Sequence, residues 1–265
     1  MKQKEDEKIK IFIVTHKMAK FYEHKNFYPI LVGTENNELK IELRDNSGEN
    51  ISLKNKNYCE LTAMYWIWKN IKSDYIGVCH YRRYFNEINV EVINYNDVNK
   101  EKIKVKEDNI KRILKDYDLI LPTPYIFNTS ILEQYKASHN IKDFIELGKV
   151  IKEKYEKTYF KNWDIVINRN YFYPCNMMIC KKELFNDYCK WLFDILFELE
   201  KRIDISDDSY QARVFGFLSE RMLGLYVETN KLKVKQMNVT KLETTKEFFK
   251  WKIKQIVKSI ILGRK

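Results

Sequence analysis

The sequence predicts an α/β fold with a mainly parallel central sheet flanked by helices and a helical C-terminal part. Three observations carry that expectation. Short β-rich apolar runs alternate with stretches whose apolar residues recur every three or four positions, over roughly 230 residues. Glycine and proline number only 7 and 4 in 265 residues, which disfavours a sandwich of many tight turns and favours long helices. A hydrophobic content of 45% with 14% aromatics supplies enough apolar surface for a core.

Taken in order, Ile9 to Thr15 reads as a strand that stops at His16-Lys17, and Tyr28 to Gly33 as a second strand closed by a turn. Asp45 to Asn50 is a cluster of turn formers. Leu61, Met64, Tyr65, Trp68 and Ile71 share one helical face, with Asn57 as N-cap and Glu60 three residues on. Asp74 to Cys79 is a buried strand. Residues 86–116 read as a loop and a helix ending near Lys115, and Asp118 to Pro122 as another buried strand. Helical periodicity returns over 139–157, Pro174 to Cys180 is an apolar strand, and Leu184 to Leu199 carries the clearest helical stripe. Ser206-Asp207-Asp208 introduces a last helical pair through Tyr226. The expected organisation is a flexible N-terminus over 1–8, one domain over 9–230 and a basic amphipathic segment over 231–265.

Forty-eight basic residues against 37 acidic ones leave a net charge of +11, a balance suited to polyanionic partners. The cysteines, Cys59, Cys79, Cys175, Cys180 and Cys189, are odd in number and lack CxxC spacing, so reduced thiols of a cytosolic protein are expected. The N-terminus has no signal-peptide apolar core, and no apolar run approaches the ~20 residues that span a bilayer. In Lys246 to Lys265, Phe249, Ile253, Ile256, Val257 and Ile260 share a helical face, beside seven Lys or Arg and one Glu. That pattern suits an anionic membrane surface, or a terminal helix docked on the protein's own core.

The chemistry concentrates in His80-Tyr81-Arg82-Arg83-Tyr84-Phe85, placed where a buried strand ends. Strand exits are common ligand sites in α/β sheets, and the guanidinium fork suits phosphate oxygens. Tyr81 and Tyr84 offer rings for a base or sugar, and Thr15 and His16 end the first strand in a comparable place. Arg82 and Arg83 point in different directions whatever the backbone, so one of them is expected to face a cleft. Asp116-Tyr117-Asp118 matches the metal-holding DxD pattern but sits at the entrance of a strand rather than its exit. Asp207 and Asp208 are better placed to act on a hydroxyl, and are equally ordinary capping residues. His16, His80 and His139 lack metal-ligand spacing. GxSxG, Walker A and GxGxxG sequences are all missing, which disfavours serine hydrolases, ATPases, kinases and nicotinamide enzymes.

The block from Tyr58 to Asn70, Asp74-Tyr75-Ile76-Gly77 and His80 to Phe85 resembles the hallmark of a bacterial glycosyltransferase family. That family was long catalogued as a domain of unknown function in capsular and exopolysaccharide gene clusters. Asn50-Ile51-Ser52, Tyr117 to Pro122, Asn176 to Ile179 and Arg213 to Arg221 extend the resemblance over about residues 9–227. Glu49 departs from it, standing where the family favours Asp. The resemblance implies a GT-A-like nucleotide-sugar fold and a UDP-sugar donor, galactose first. It implies transfer to a lipid-linked glycan on the cytoplasmic face of the membrane, with the protein bound there peripherally. It places Asn50, Ser52 and Tyr58 with the donor, beside Thr15, His16, His80, Tyr81, Arg82 and Arg83. Asn176, Arg213 and Glu220 would face the acceptor, and Asp207 and Asp208 the sugar. A divalent metal (Mn or Mg) is compatible with such chemistry, yet no DxD is well placed, so the expectation is that Arg82 or Arg83, with His80, partly or wholly substitutes for it. The rival readings are a basic nucleic-acid-binding module, disfavoured because basic and acidic residues are interspersed outside the tail, and a non-catalytic scaffold for polysaccharide assembly.

Overall fold

The computed structural model describes residues 8–33, 39–99 and 102–262. The strands are β1 (Ile9–Thr15), β2 (Phe27–Leu31), β3 (Leu43–Arg44), β4 (Tyr75–His80), β5 (Arg83–Asn86), β6 (Val92–Asn94), β7 (Leu119–Pro122), β8 (Tyr125–Ile126), β9 (Tyr171–Phe172), β10 (Met178–Lys181) and β11 (Val234–Glu243). The helices are α1 (Asn55–Tyr58), α2 (Leu61–Asn70), α3 (Glu107–Asp116), α4 (Ile131–Ser138), α5 (Ile141–Tyr155), α6 (Trp163–Ile167), α7 (Lys182–Glu200), α8 (Val214–Thr229) and α9 (Thr245–Leu262). β8 and β9 form a separate antiparallel pair.

In the main sheet β3, β2, β1 and β4 run parallel, and β10 lies antiparallel between β4 and β7. β11 is parallel to β7 and β6 and antiparallel to β5, whose first residue, Arg83, pairs with His80 at the end of β4. The sheet is therefore mixed, correcting the expectation of a mainly parallel one. A strand buried on both faces reads as a continuous apolar run in either direction, so the reversal of β10 left no mark in its composition.

Alternate strand residues serve two cores. Phe12, Val14, Ile76, Val78, Leu121 and Met178 join the layer built by α2, α5, α7 and α8. Ile11, Ile13, Cys79, Ile120 and Ile179 join Phe85, Ile110 and Ile113 on the other face. Gly77 of β4 is needed where the strands approach closely: a Cβ there would stand 2.8 Å from Ile11 Cγ1.

Several local expectations are corrected. Asn57 does not cap α2; it lies inside α1 and its amide donates to the Ala212 carbonyl at 2.9 Å, while Cys59 at φ 51° breaks the chain between the two helices. Residues 174–176 form a 3₁₀ turn rather than strand. A 3₁₀ turn at Gln211–Arg213 and one helix, α8, replace the last helical pair. The boundary expected at residue 230 also fails, because β11 lies within the sheet between β7 and β5. The alternating Lys231, Lys233 and Lys235 at its start hide a strand whose Met237, Thr240 and Leu242 are buried. Only the part from Thr245 onward can act as an appended segment. There Phe249 and Ile253 are exposed, while the side chains of Ile256, Val257 and Ile260 lie outside the described residues, as do residues 1–7. No helix among the described residues is long and apolar enough to cross a membrane.

Candidate active site

The parallel strands β1, β4, β7 and β11 end at one edge of the sheet, and antiparallel β10 begins there. A cleft of about 880 Å³ opens along that edge. Thr15, His16, His80, Tyr81, Arg82, Arg83, Arg213 and Glu220, all anticipated from sequence, line it together. So do Lys56, Glu60, Tyr125, Cys175 and Lys241, which sequence reasoning did not single out.

The two arginines of the β4–β5 hairpin divide as the backbone requires. Arg82 turns to the outer wall, where its Nε donates to the Leu242 carbonyl at 3.1 Å and its Nη2 meets Glu243 and, at 3.1 Å, Glu247 of α9. Its charge is spent on two carboxylates. Arg83 turns inward toward Tyr125 and forms no ion pair with a carboxylate among the described residues. Burial works against its charge, but Cys175, Tyr125 and Glu220 around it more than offset this and hold its pKa above the ordinary arginine value. Arg213 approaches from the start of α8; its Nε donates to Cys59 Sγ at 3.3 Å and its guanidinium lies over the Phe217 ring.

His80 is not a cation here. Burial, with Arg83 and Arg213 nearby, pushes its pKa down to about 4, despite the Cys175 carbonyl 2.6 Å from Nε2. A neutral ring in that contact carries its proton on Nε2 and donates it to the carbonyl. Beside the arginines, which carry the charge, His80 offers a hydrogen-bonding ring rather than a further cation. Thr15 is committed to its own turn, its hydroxyl donating to the Lys17 carbonyl at 2.5 Å. His16 packs edge-on against Tyr81 with ring centres 5.4 Å apart.

Opposite the arginines stand two carboxylic acids. Burial raises the pKa of Glu60, whose Oε1 accepts from Asn176 Nδ2 at 2.7 Å. Glu220 accepts from the Cys175 amide at 2.5 Å and pairs with Arg221 at 3.0 Å, yet burial, reinforced by Glu60, still lifts it to about 7. A carboxyl group poised there suits acid–base work at neutral pH. Both acids depend on the turn after β9, where Cys175 and Asn176 adopt left-handed φ values of 67° and 48°. Left-handed backbone at non-glycine residues costs about 1–3 kcal/mol each and tends to cluster at functional sites. Here it lets one residue, Cys175, bridge His80 and Glu220 through its carbonyl and amide. Burial holds the Cys175 and Cys59 thiols protonated, at about 12 and about 11, so neither is a ready nucleophile.

Other anticipated residues lie elsewhere. Tyr58 is fully buried, stacked on Phe215 at 4.3 Å and hydrogen-bonded to Glu200 at 3.2 Å, so it is a core residue rather than a donor contact. Asn50 and Ser52 brace their own loop, Ser52 donating to Asp45 at 2.5 Å. Glu49 in that loop meets Lys69 at 2.8 Å and Tyr65 at 2.9 Å on α2. Asn176 is wholly buried and orients Glu60 without facing the cleft. Asp208 accepts from the amides of Tyr210 and Gln211 at 3.0 and 2.8 Å, the capping role, and neither it nor Asp207 lines the cleft, although Ser209 does. Asp116 and Asp118 lie at the opposite edge of the sheet, since Leu119 pairs with Cys180 while Met178 pairs with Val78 near the cleft. No group of three His, Cys, Asp or Glu among the described residues is arranged to hold a metal ion.

No curated protein matches the chain. The apo structure of WbbM, described as a bifunctional glycosyltransferase, matches at 27% identity and a TM-score of 0.78 over 89% of this chain. The match covers 46% of that chain, so this protein spans about half its length. A family model described as "Domain of unknown function (DUF4422)" matches residues 10–231, and the chain belongs to that family.

Proposed function

We propose that the protein is a glycosyltransferase of GT-A-like fold. It would transfer a hexose, galactose first among the candidates, from a UDP-sugar to a lipid-linked glycan in capsule, exopolysaccharide or O-antigen synthesis. One observation carries the reading: a strand-exit cleft in which Arg83 and Arg213, without an ion-paired carboxylate among the described residues, share the lining with a carboxyl group poised near neutrality on Glu220. The similarity to a glycosyltransferase supports it.

Breaking the bond between the sugar's anomeric carbon and the diphosphate leaves negative charge on the departing oxygen. Fixed donors aimed at that charge lower the barrier. Arg83 and Arg213 are the groups available, with Lys56 at the rim. Glu220, ionised, takes the proton of the acceptor hydroxyl as its oxygen bonds to the anomeric carbon and UDP leaves. Burial, reinforced by Glu60, which Asn176 holds, keeps Glu220 basic. Peripheral membrane binding through α9 completes the reading, since Lys246, Lys250, Lys252 and Lys254 flank the exposed Phe249 and Ile253. The test is release of UDP from UDP-galactose and from a panel of other UDP-sugars, each competed by free UDP. Turnover inhibited by UDP is expected; a chain that neither hydrolyses nor binds any of them overturns the reading.

A further inference from the structure

Beside the cleft lies a second pocket of about 320 Å³ that shares Arg83, Tyr125, Cys175 and Lys241 with it. Past these shared residues the two differ in character. The cleft continues to Thr15 and Val32 at the ends of β1 and β2 and to Asn55 at the start of α1, whereas none of these reaches the smaller pocket. Its walls include Pro122, Pro124 and Pro174, with the amides of Asn89 and Asn238 as polar groups and the Glu91 carboxylate standing with the Arg83 and Lys241 cations.

We propose that this pocket is the acceptor subsite and takes a neutral mono- or disaccharide end; the inference rests on the glycosyltransferase reading above. A pyranose ring presents C–H faces that pack on aromatic and proline surfaces and hydroxyls that bond to amides, which is the mixture these walls offer. The volume stands at the small end of ligand pockets, which run from about 300 to 1,000 Å³, and suits one or two sugar rings while the larger cleft holds the nucleotide. The junction is also where the chemistry is. Cys175 lines both spaces and its amide holds Glu220, so a sugar seated against Cys175 turns a hydroxyl toward the carboxyl group that would take its proton. Arg83 and Tyr125 stand on the same boundary, so the bond transferred would lie between the two ligands. The half-exposed Tyr125, in the short β8–β9 ladder, is a ring that lines both spaces.

Two substitutions fill the pocket without touching the cleft. Val239→Trp does so from β11, and Asn89→Trp from an exposed loop position where a folding defect is not expected. Saturation-transfer NMR with the methyl glycosides of galactose, glucose and N-acetylglucosamine, recorded on the UDP-saturated chain, reads the pocket directly. Wild type is expected to show saturation transfer to at least one of them, and both variants to lose it while binding UDP as wild type does. Absence of any signal from wild type that binds UDP overturns the proposal, as does a signal that persists in both variants. Failure of wild type to bind UDP instead overturns the glycosyltransferase reading. In that event, loss of the sugar signals in the variants would still mark the pocket as a saccharide site.

Discussion

Glu220 is held at about 7 by burial while its ordinary value is 4.5. Between those pH values the folded chain keeps a proton that the unfolded chain has released, so this group makes the fold less stable as pH rises through that window. At 1.36 kcal/mol per pH unit the whole effect is roughly 3 kcal/mol. His80, held down at about 4, acts in the opposite sense: the unfolded chain gains a proton below 6.5 that the folded chain refuses, so stability is lost on acidification. Glu220→Gln should separate the two, leaving only the acid-side loss and melting higher than wild type at pH 8. The same variant should lose about 10²–10⁴-fold in transfer rate together with the rise of activity through pH 7. Retention of that pH limb would assign the base elsewhere. The paired arginines permit a sharper comparison. Arg83→Ala removes a charge donor aimed into the cleft and should cost about 10²–10³-fold in turnover, with or without EDTA. Arg82→Ala should act chiefly through α9, where it removes the guanidinium that joins Glu243 to Glu247. Equal damage from both, or undiminished activity in both, would refute this division of labour.

Among the elements, α9 is tied to the cleft at its first turn. Thr244 and Glu247 cap it reciprocally, the Thr244 hydroxyl donating at 2.8 Å to the carboxylate that Arg82 also holds. Hydrogen bonds from Thr244 push the Glu247 carboxyl down to about 2, so the clamp stays charged across the physiological range. Deleting residues 245–265 should abolish co-sedimentation with phosphatidylserine vesicles, each lost basic residue removing about 1 kcal/mol of attraction. Vesicle binding that survives the deletion would move the membrane contact elsewhere. What the sequence revealed of these elements follows their physics. β1, β4, β7 and α7 were legible because apolar runs and helical stripes are local signals. The direction of β10 and the existence of β11 were not, because neither the orientation of a doubly buried strand nor the central place of a strand entered through alternating lysines is written in composition. At the site, the His80 to Arg83 hairpin was legible from its position after a buried strand. Glu60 and Glu220 could be given their setting only once the left-handed turn at Cys175 and Asn176 had brought distant segments together. Tyr58 misled because an aromatic in a distinctive sequence block is as readily there for packing.

Over the whole molecule, a net charge of +11 is a general attraction for anions, and it cannot by itself distinguish a nucleotide sugar from a polynucleotide or a membrane. Specificity has to come from the cleft, where Arg83 and Arg213 meet carboxyl groups in a confined space instead of lying on an open basic face. A ligand that binds only the folded chain stabilises it by about 2.7 kcal/mol at a hundred times its Kd. For a chain of this size each kcal/mol raises Tm by roughly 2–4 °C, so a well-fitted nucleotide should raise it by about 5–10 °C. UDP and UDP-galactose are expected to do so, and UMP to do so less, because it lacks the second phosphate that the proposed function assigns to Arg83 and Arg213. If the arginines carry the diphosphate charge, the shift should persist in EDTA and fall sharply in Arg83→Ala. A shift that appears only with Mn²⁺ would instead show that a metal is recruited with the nucleotide. A DNA duplex that stabilises the chain as strongly as UDP-galactose, with the tail deleted, would return the molecule to the nucleic-acid reading.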